Sequence, residues 1–227
     1  MNTIRPRLLD LCCCAGGAAV GYHRAGFDVV GVDIAAQPDY PFEFHRGDAL
    51  EFLAAHGHEF DAVHASPPCQ ASSTLTAGTN QAMAHKYPQL IPDMRAALIA
   101  CGRPWVLENV LGAKLRRDVL LCGEMFGLNV IRHRVFELGG WTAPTPTHLP
   151  HRGRVSGYRH GRHYDGPYVA VYGCGGGKGS IAQWQDAMGI DWTADRRSLA
   201  EAIPPAYTTW LGTHLSASIT AGAEVAA

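Results

Sequence analysis

The stretch Leu8-Leu9-Asp10-Leu11-Cys12-Cys13-Cys14-Ala15-Gly16-Gly17-Ala18-Ala19-Val20-Gly21 opens as an apolar, strand-like run and then gives way to small residues. Those residues lead into a helix-like segment reaching Tyr22, His23 and Ala25, closed by Gly26. A second strand follows, Asp28-Val29-Val30-Gly31-Val32-Asp33-Ile34. A strand, a glycine-rich turn, a helix and a strand in succession form a nucleoside-binding unit. The glycines let backbone amides approach the ligand, and Asp33 at the end of the second strand is placed to grip both ribose hydroxyls. The plain alternative is a tight strand-to-helix connection that binds nothing.

Two departures from the dinucleotide fingerprint narrow the ligand. No GxGxxG is present, so the turn is poorly suited to a pyrophosphate. Asp10, just inside the first strand, would repel a phosphate and suits the cationic end of an amino-acid-bearing nucleoside. That combination suggests S-adenosylmethionine rather than NAD. Farther on, Asp48 of Gly47-Asp48-Ala49 could accept a hydrogen bond from an adenine amino group, or cap a helix over 49–55. Both readings stay open.

Farther outward, the apolar run Phe60-Asp61-Ala62-Val63-His64-Ala65 reads as a short buried strand stopped by Pro67 and Pro68. Cys69, held at the strand's carboxyl end by this rigid turn, is either a nucleophile or a small buried apolar residue. The polar segment 71–80 reads as a loop over the site. Helical spacing is expected over 88–101, and a buried strand over 104–110 carries Glu108 and Asn109 at its end. A buried carboxylate there calls for a partner or a function. The apolar segment 111–129 reads as helical, and 132–138 alternates basic and apolar residues as a half-exposed strand does. From Gly139 to Ser180 the chain is rich in Pro, Gly, His and Arg, with a strand pair expected around Tyr168 to Tyr172. The run Gly173 to Gly179 contains one Lys but fails GxxxxGK[ST], which excludes a P-loop nucleotidase. A helix is expected over 181–188 and a final one through Leu211, with 216–227 frayed.

The 227 residues suffice for one domain with a full core, and the formal net charge of −1 favours no polyanionic partner. Charge is uneven, however: Arg132 to His163 holds six arginines, five histidines and a single acid, Glu137. A nucleic-acid footprint is expected there. Seven cysteines without any CxxC pair point to reduced thiols and to no metal site. No signal peptide or long apolar run is visible, so a cytoplasmic protein without membrane contact is expected.

These landmarks, in this order, resemble the DNA (cytosine-5) methyltransferases from Asp10 to about Gly212. Asp10-Leu11-Cys12-Cys13-Cys14-Ala15-Gly16-Gly17 is similar to the family's first cofactor motif, Pro68-Cys69-Gln70 to its catalytic motif and Glu108-Asn109-Val110 to its glutamate motif. Arg132-His133-Arg134 looks like the paired-arginine motif, and Ile203-Pro204 the last one. The resemblance implies an α/β, Rossmann-like S-adenosylmethionine-dependent fold: a mostly parallel sheet, helices on both faces and a short loop-rich insert. The implied divisions are 1–138, 139–194 and 195–227. It implies catalytic roles for Cys69, Glu108, Arg132 and Arg134, with the arginines orienting base and phosphate. For the cofactor it implies Asp10, Cys12, Gly16, Gly17, Asp33 and Ile34, with Asp48, Ala49, Pro68 and Glu201. For double-stranded DNA with a flipped base it implies Gln70, Ser72 and Lys178, joined by Arg152, Arg154, Arg159 and Arg162.

Departures from the pattern are Cys14 in place of glycine, Val130 in place of glutamine and Glu201 in place of asparagine. The insert is also short, about 65 residues between Arg134 and the last motif. Alternatives are the same chemistry on RNA or a free cytidine nucleotide, or a DNA-binding relative without turnover. A monomer is expected, and a trimmed insert would suit a phage or restriction-associated gene. The segment 148–163, lacking hydrophobic periodicity, is expected to order only on a polyanion.

Overall fold

The computed structural model describes residues 5–68, 90–159, 161–173 and 179–226. The chain runs β1 (Arg7–Leu11), α1 (Gly17–Arg24), β2 (Asp28–Asp33), β3 (Glu43–Arg46), α2 (Ala49–His56) and β4 (Ala62–Ala65). It continues with α3 (Leu90–Cys101), β5 (Trp105–Asn109), β6 (Val119–Leu121), β7 (Arg134–Gly139), β8 (Gly157–Arg159) and β9 (Arg162–Tyr164). Helices α4 (Ile181–Met188), α5 (Arg196–Glu201) and α6 (Pro205–Ala226) complete it.

Seven strands form one sheet in the order β3-β2-β1-β4-β5-β7-β6. Strands β1 to β5 pair in parallel, whereas β7 runs antiparallel to both β5 and β6. The apolar runs read as strands are buried on both faces, as parallel strands must be. Alternation along β1 divides them: Leu8 packs with Tyr22 of α1 and with Tyr207 and Leu211 of α6. Leu9 and Leu11 pack on the other side with Leu53 of α2 and Met94 and Leu98 of α3. Strand order reverses between β1 and β4, and in such sheets a crevice opens there at the carboxyl ends of the strands.

Several expectations need correction. Residues 111–129 do not form a helix; they supply β6 and a single 3₁₀ turn, Gly123–Phe126. Strand β7 is not half-exposed, because it is inserted between β5 and β6 and buries Val135 to Leu138. Tyr168 contributes one bridge to Val155 rather than a strand pair, and the insert's hairpin is β8–β9 instead. Thus part of 148–163 is ordered by the protein itself. Helix α6 runs to Ala226 instead of fraying after Leu215, since its first turns lie against the glycine face of α1. Among the described residues no helix is long and apolar enough to cross a membrane.

Candidate active site

A cavity of about 730 Å³ lies where β1, β2, β4 and β5 end, and Asp10, Asp33, Pro68, Glu108 and Arg134 all line it. The turn after β1 is shaped by left-handed residues. Cys12 (φ 56°) and Cys14 (φ 46°) adopt them despite their side chains, and Gly16 (φ 83°) follows. A Cβ at Gly16 would meet Pro41 Cδ at 2.8 Å, so this glycine shapes the turn from behind while Cys12 and Gly17 line the cavity. Burial, with Asp33 next, pushes the Cys12 thiol up to about 12, which keeps it protonated and unreactive. Burial likewise raises Cys13 and Cys14.

Asp33 closes the turn: Oδ2 accepts from the Cys14 N–H at 3.0 Å and Oδ1 from the Ala35 N–H at 2.9 Å. Ile34 beside it is 70% exposed on the cavity rim, where an apolar side chain can meet a flat ring. Asp10 is fully buried and neither carboxyl oxygen has a hydrogen-bond partner. Burial first, then the charges of Asp33 and Glu108, holds its carboxyl well above the usual range. Asp48 lines the cavity with Ala49 and also caps α2, its Oδ1 accepting from the Leu50 and Glu51 N–H groups. The capping role is therefore observed. Glu201 reaches the same cavity and accepts from Arg197 Nε at 3.0 Å.

Glu108, near the end of β5, is 5% exposed. Arg134 Nε lies 2.8 Å from its Oε1 as an ion pair. Burial raises the Glu108 carboxyl and wins over the opposing Arg134 and Arg132 charges. The proline turn is pinned from β5, Asn109 Nδ2 donating to the Pro67 carbonyl at 2.8 Å. A buried chain absent from the motif reading supports the same corner. The Tyr22 hydroxyl lies 3.0 Å from His64 Nδ1, His64 Nε2 lies 2.7 Å from Ser66 Oγ, and Ser66 hydrogen-bonds Glu108. Burial pushes the His64 imidazole down to about 3, so it stays neutral. Its position at an inward-facing site of a short strand is the signal that a sequence could have offered.

Arg132 departs from its expected role. It is buried and donates to the carbonyls of Val171 (3.1 Å) and Ala200 (2.6 Å), tying the insert and α5 to β7 rather than facing the cavity. Arg152 pairs with Glu124, while Arg154 and Arg162 are exposed with their guanidinium groups 5.5 Å from the Tyr164 ring. Cys69, Gln70, Ser72, the 71–80 loop, Lys178 and the Arg159 side chain lie outside the described residues. The expectation of no metal site rested on the missing CxxC pairs, yet the fold gathers Cys122, His133, His148 and His151 into one cluster.

The model of the family "C-5 cytosine-specific DNA methylase" matches residues 6–121. A Methanocaldococcus jannaschii protein named "Putative ribosomal RNA large subunit methyltransferase" is 28% identical over 118 residues, or 43% of this chain. The match spans 31% of that relative, so the chain covers about a third of its length. Among solved structures, the S. pombe Dnmt2 methyltransferase superposes with a TM-score of 0.61 at 13% identity, covering 93% of this chain and 98% of its own. The Entamoeba histolytica methyltransferase EhMeth gives 0.61 at 10% identity, covering 96% and 99%. At these identities the likeness concerns the fold, which is the Rossmann-like methyltransferase fold.

Proposed function

Because the chain belongs to the C-5 cytosine-specific DNA methylase family, we propose that it transfers a methyl group to carbon 5 of cytosine in DNA. S-adenosylmethionine is the donor this family uses. The cavity suits that molecule: the unpartnered Asp10 carboxyl calls for a cation, which the cofactor's methionine end carries. Asp33 spends one lone pair of each oxygen on backbone N–H groups and keeps the others for the ribose hydroxyls. When bound, the cofactor supplies an electrophilic methyl to the target carbon.

The protein's part is to make carbon 5 nucleophilic. In this reading the Cys69 thiolate adds to carbon 6 of a flipped cytosine, moving electron density onto carbon 5. After methylation, loss of the carbon 5 proton expels the thiolate and restores the ring. Glu108 holds ring nitrogen 3 and the exocyclic amine, its retained proton neutralising the charge that builds as sulfur adds. Arg134 fixes the carboxyl, and the Tyr22–His64–Ser66 chain backs it. The observation that carries the reading is Glu108: a buried carboxyl, raised by burial and held by Arg134, in the cavity that Asp10, Asp33 and Pro68 share.

The test is incubation with methyl-labelled cofactor and, in parallel, duplex DNA, single strands, RNA and deoxycytidine triphosphate. Label in duplex DNA at carbon 5 is expected. Cys69→Ala should lose transfer and the covalent adduct with 5-fluorocytosine DNA, and Glu108→Gln should slow transfer by roughly 10²–10⁴. An adduct that persists in Cys69→Ala, or wild-type rates in Glu108→Gln, removes that residue from the mechanism. A second reading, the same chemistry on RNA, is favoured by the relative named for ribosomal RNA methylation. Label in RNA alone would establish it.

A further inference from the structure

Away from the cavity, four potential metal ligands converge: Cys122, His133, His148 and His151 each offer one ligand atom, and all four atoms lie within 4.8 Å of one another. The sheet itself brings the first two together. In the antiparallel register of β6 and β7, Leu121 faces Arg134, so continuing one step sets Cys122 opposite His133. The two consecutive residues then serve different sites, Arg134 the cavity and His133 the cluster. The other two ligands come from the insert as His148-Leu149-Pro150-His151, whose imidazoles the fold brings to the same point as Cys122 and His133.

The arrangement makes little sense as a set of ordinary contacts. His133 Nε2 and His148 Nε2 point at each other at 3.0 Å. The Cys122 thiol is wholly buried among the rings. His151 Nε2 is buried without a hydrogen-bond partner, while its Nδ1 lies 2.7 Å from Glu124 Oε2. A carboxylate that takes the outer N–H of an imidazole fixes its tautomer and leaves the inner nitrogen unprotonated. That is the arrangement found behind metal-bound histidines.

We propose that Cys122, His133, His148 and His151 bind one divalent transition-metal ion, zinc by the chemistry of the donors. One thiolate and three imidazoles satisfy a tetrahedral ion completely, so the site is structural and has no open position for catalysis. Binding displaces the Cys122 proton to solvent, and the imidazoles bind in their neutral form. The ion would pin the early part of the insert to the β6–β7 edge through His133, the residue before Arg134. It supplies an anchor for the segment 148–163, which lacks hydrophobic periodicity, whereas the rest of the insert is held by the buried cluster of Val171, Trp184, Met188 and Ile190. This inference stands apart from the proposed reaction, since metal content can be measured on protein that methylates nothing.

The experiment is elemental analysis of the full chain purified without added metal or chelator. About one zinc per chain is expected, falling at least fivefold in both Cys122→Ser and His148→Ala. Should a variant fail to fold, cobalt(II) titration of the stripped wild-type chain decides. Intense visible bands of tetrahedral cobalt and a thiolate charge-transfer band, both removed by competing zinc, support the site. No retained metal, together with only the weak spectrum of octahedral cobalt, would overturn it and leave a hydrogen-bonded histidine cluster.

Discussion

Asp10 sits at the centre of a sheet with an unpaired carboxyl, a costly position that makes a sharp prediction possible. Its folded pKa is raised, by burial before anything else, above the unfolded value of about 3.9. Above that value the unfolded chain releases a proton that the folded chain retains, so stability falls as pH rises from there through the folded pKa. Asp10→Asn removes this penalty. At neutral pH the variant should melt higher than wild type yet bind S-adenosylmethionine at least roughly tenfold more weakly, the worth of a charge-assisted hydrogen bond. Wild-type affinity should also rise with pH up to the folded pKa, because binding a cation expels the proton. Calorimetry across pH checks all three; a variant that melts lower and binds as well would refute the assignment. Asp10 and Asp33 were legible in the sequence because strand, turn and strand are contiguous. Arg132 was not: its partners, the carbonyls of Val171 and Ala200, lie 39 and 68 residues away. The quartet around Cys122 was hidden likewise, since strand register brings Cys122 to His133 and only the fold carries His148 and His151 to them.

At the scale of elements, the close α1–α6 contact seats the helix that follows the turn after β1. A Cβ at Gly21 would run into Thr208 Oγ1 and the Pro205 carbonyl, and one at Gly17 into the Ile203 carbonyl. The Thr208 hydroxyl meanwhile donates to the Ala18 carbonyl at 2.8 Å across the same contact. The approach thus leaves no room for a side chain at Gly17 or Gly21. Gly21→Ala should cost about 1–3 kcal/mol or more as α6 is pushed away. Thermal unfolding should fall by several degrees, and an unchanged melting temperature would show that α6 is not seated as described. The sequence hid this helix's length because its last turns, Ser216 to Ala226, are mostly small residues with little periodicity. It hid β6 for the reverse reason. Val119 to Leu121 is too short for a period to be read, and the turn at Gly123 to Gly127 interrupts what looked like one apolar helix.

For the whole molecule, the question is how much of the local positive charge can meet a polyanion. Counted along the chain, the stretch from Arg132 to His163 carries six arginines. Folding commits half of them: Arg132 to two carbonyls, Arg134 to Glu108 and Arg152 to Glu124. Arg154 and Arg162 instead stand exposed, each with its guanidinium group 5.5 Å from the Tyr164 ring of the β8–β9 hairpin. A phosphate-contacting surface carried by these two should be modest and strongly salt-dependent, since each neutralised phosphate adds about 0.9 to the slope of log affinity against log salt. Replacing Arg154 and Arg162 together by Ala should therefore flatten that slope by up to about two, weakening binding to all sequences alike and leaving the methylated site unchanged. Arg152→Ala should act differently. It exposes the acidic Glu124 beside His151 and so should lower the melting temperature more than it changes the slope. Fluorescence anisotropy with labelled duplexes over a salt series, beside thermal melts of each variant, separates the two effects. A double variant with the wild-type slope would move the phosphate contacts off the hairpin and onto another surface of the protein.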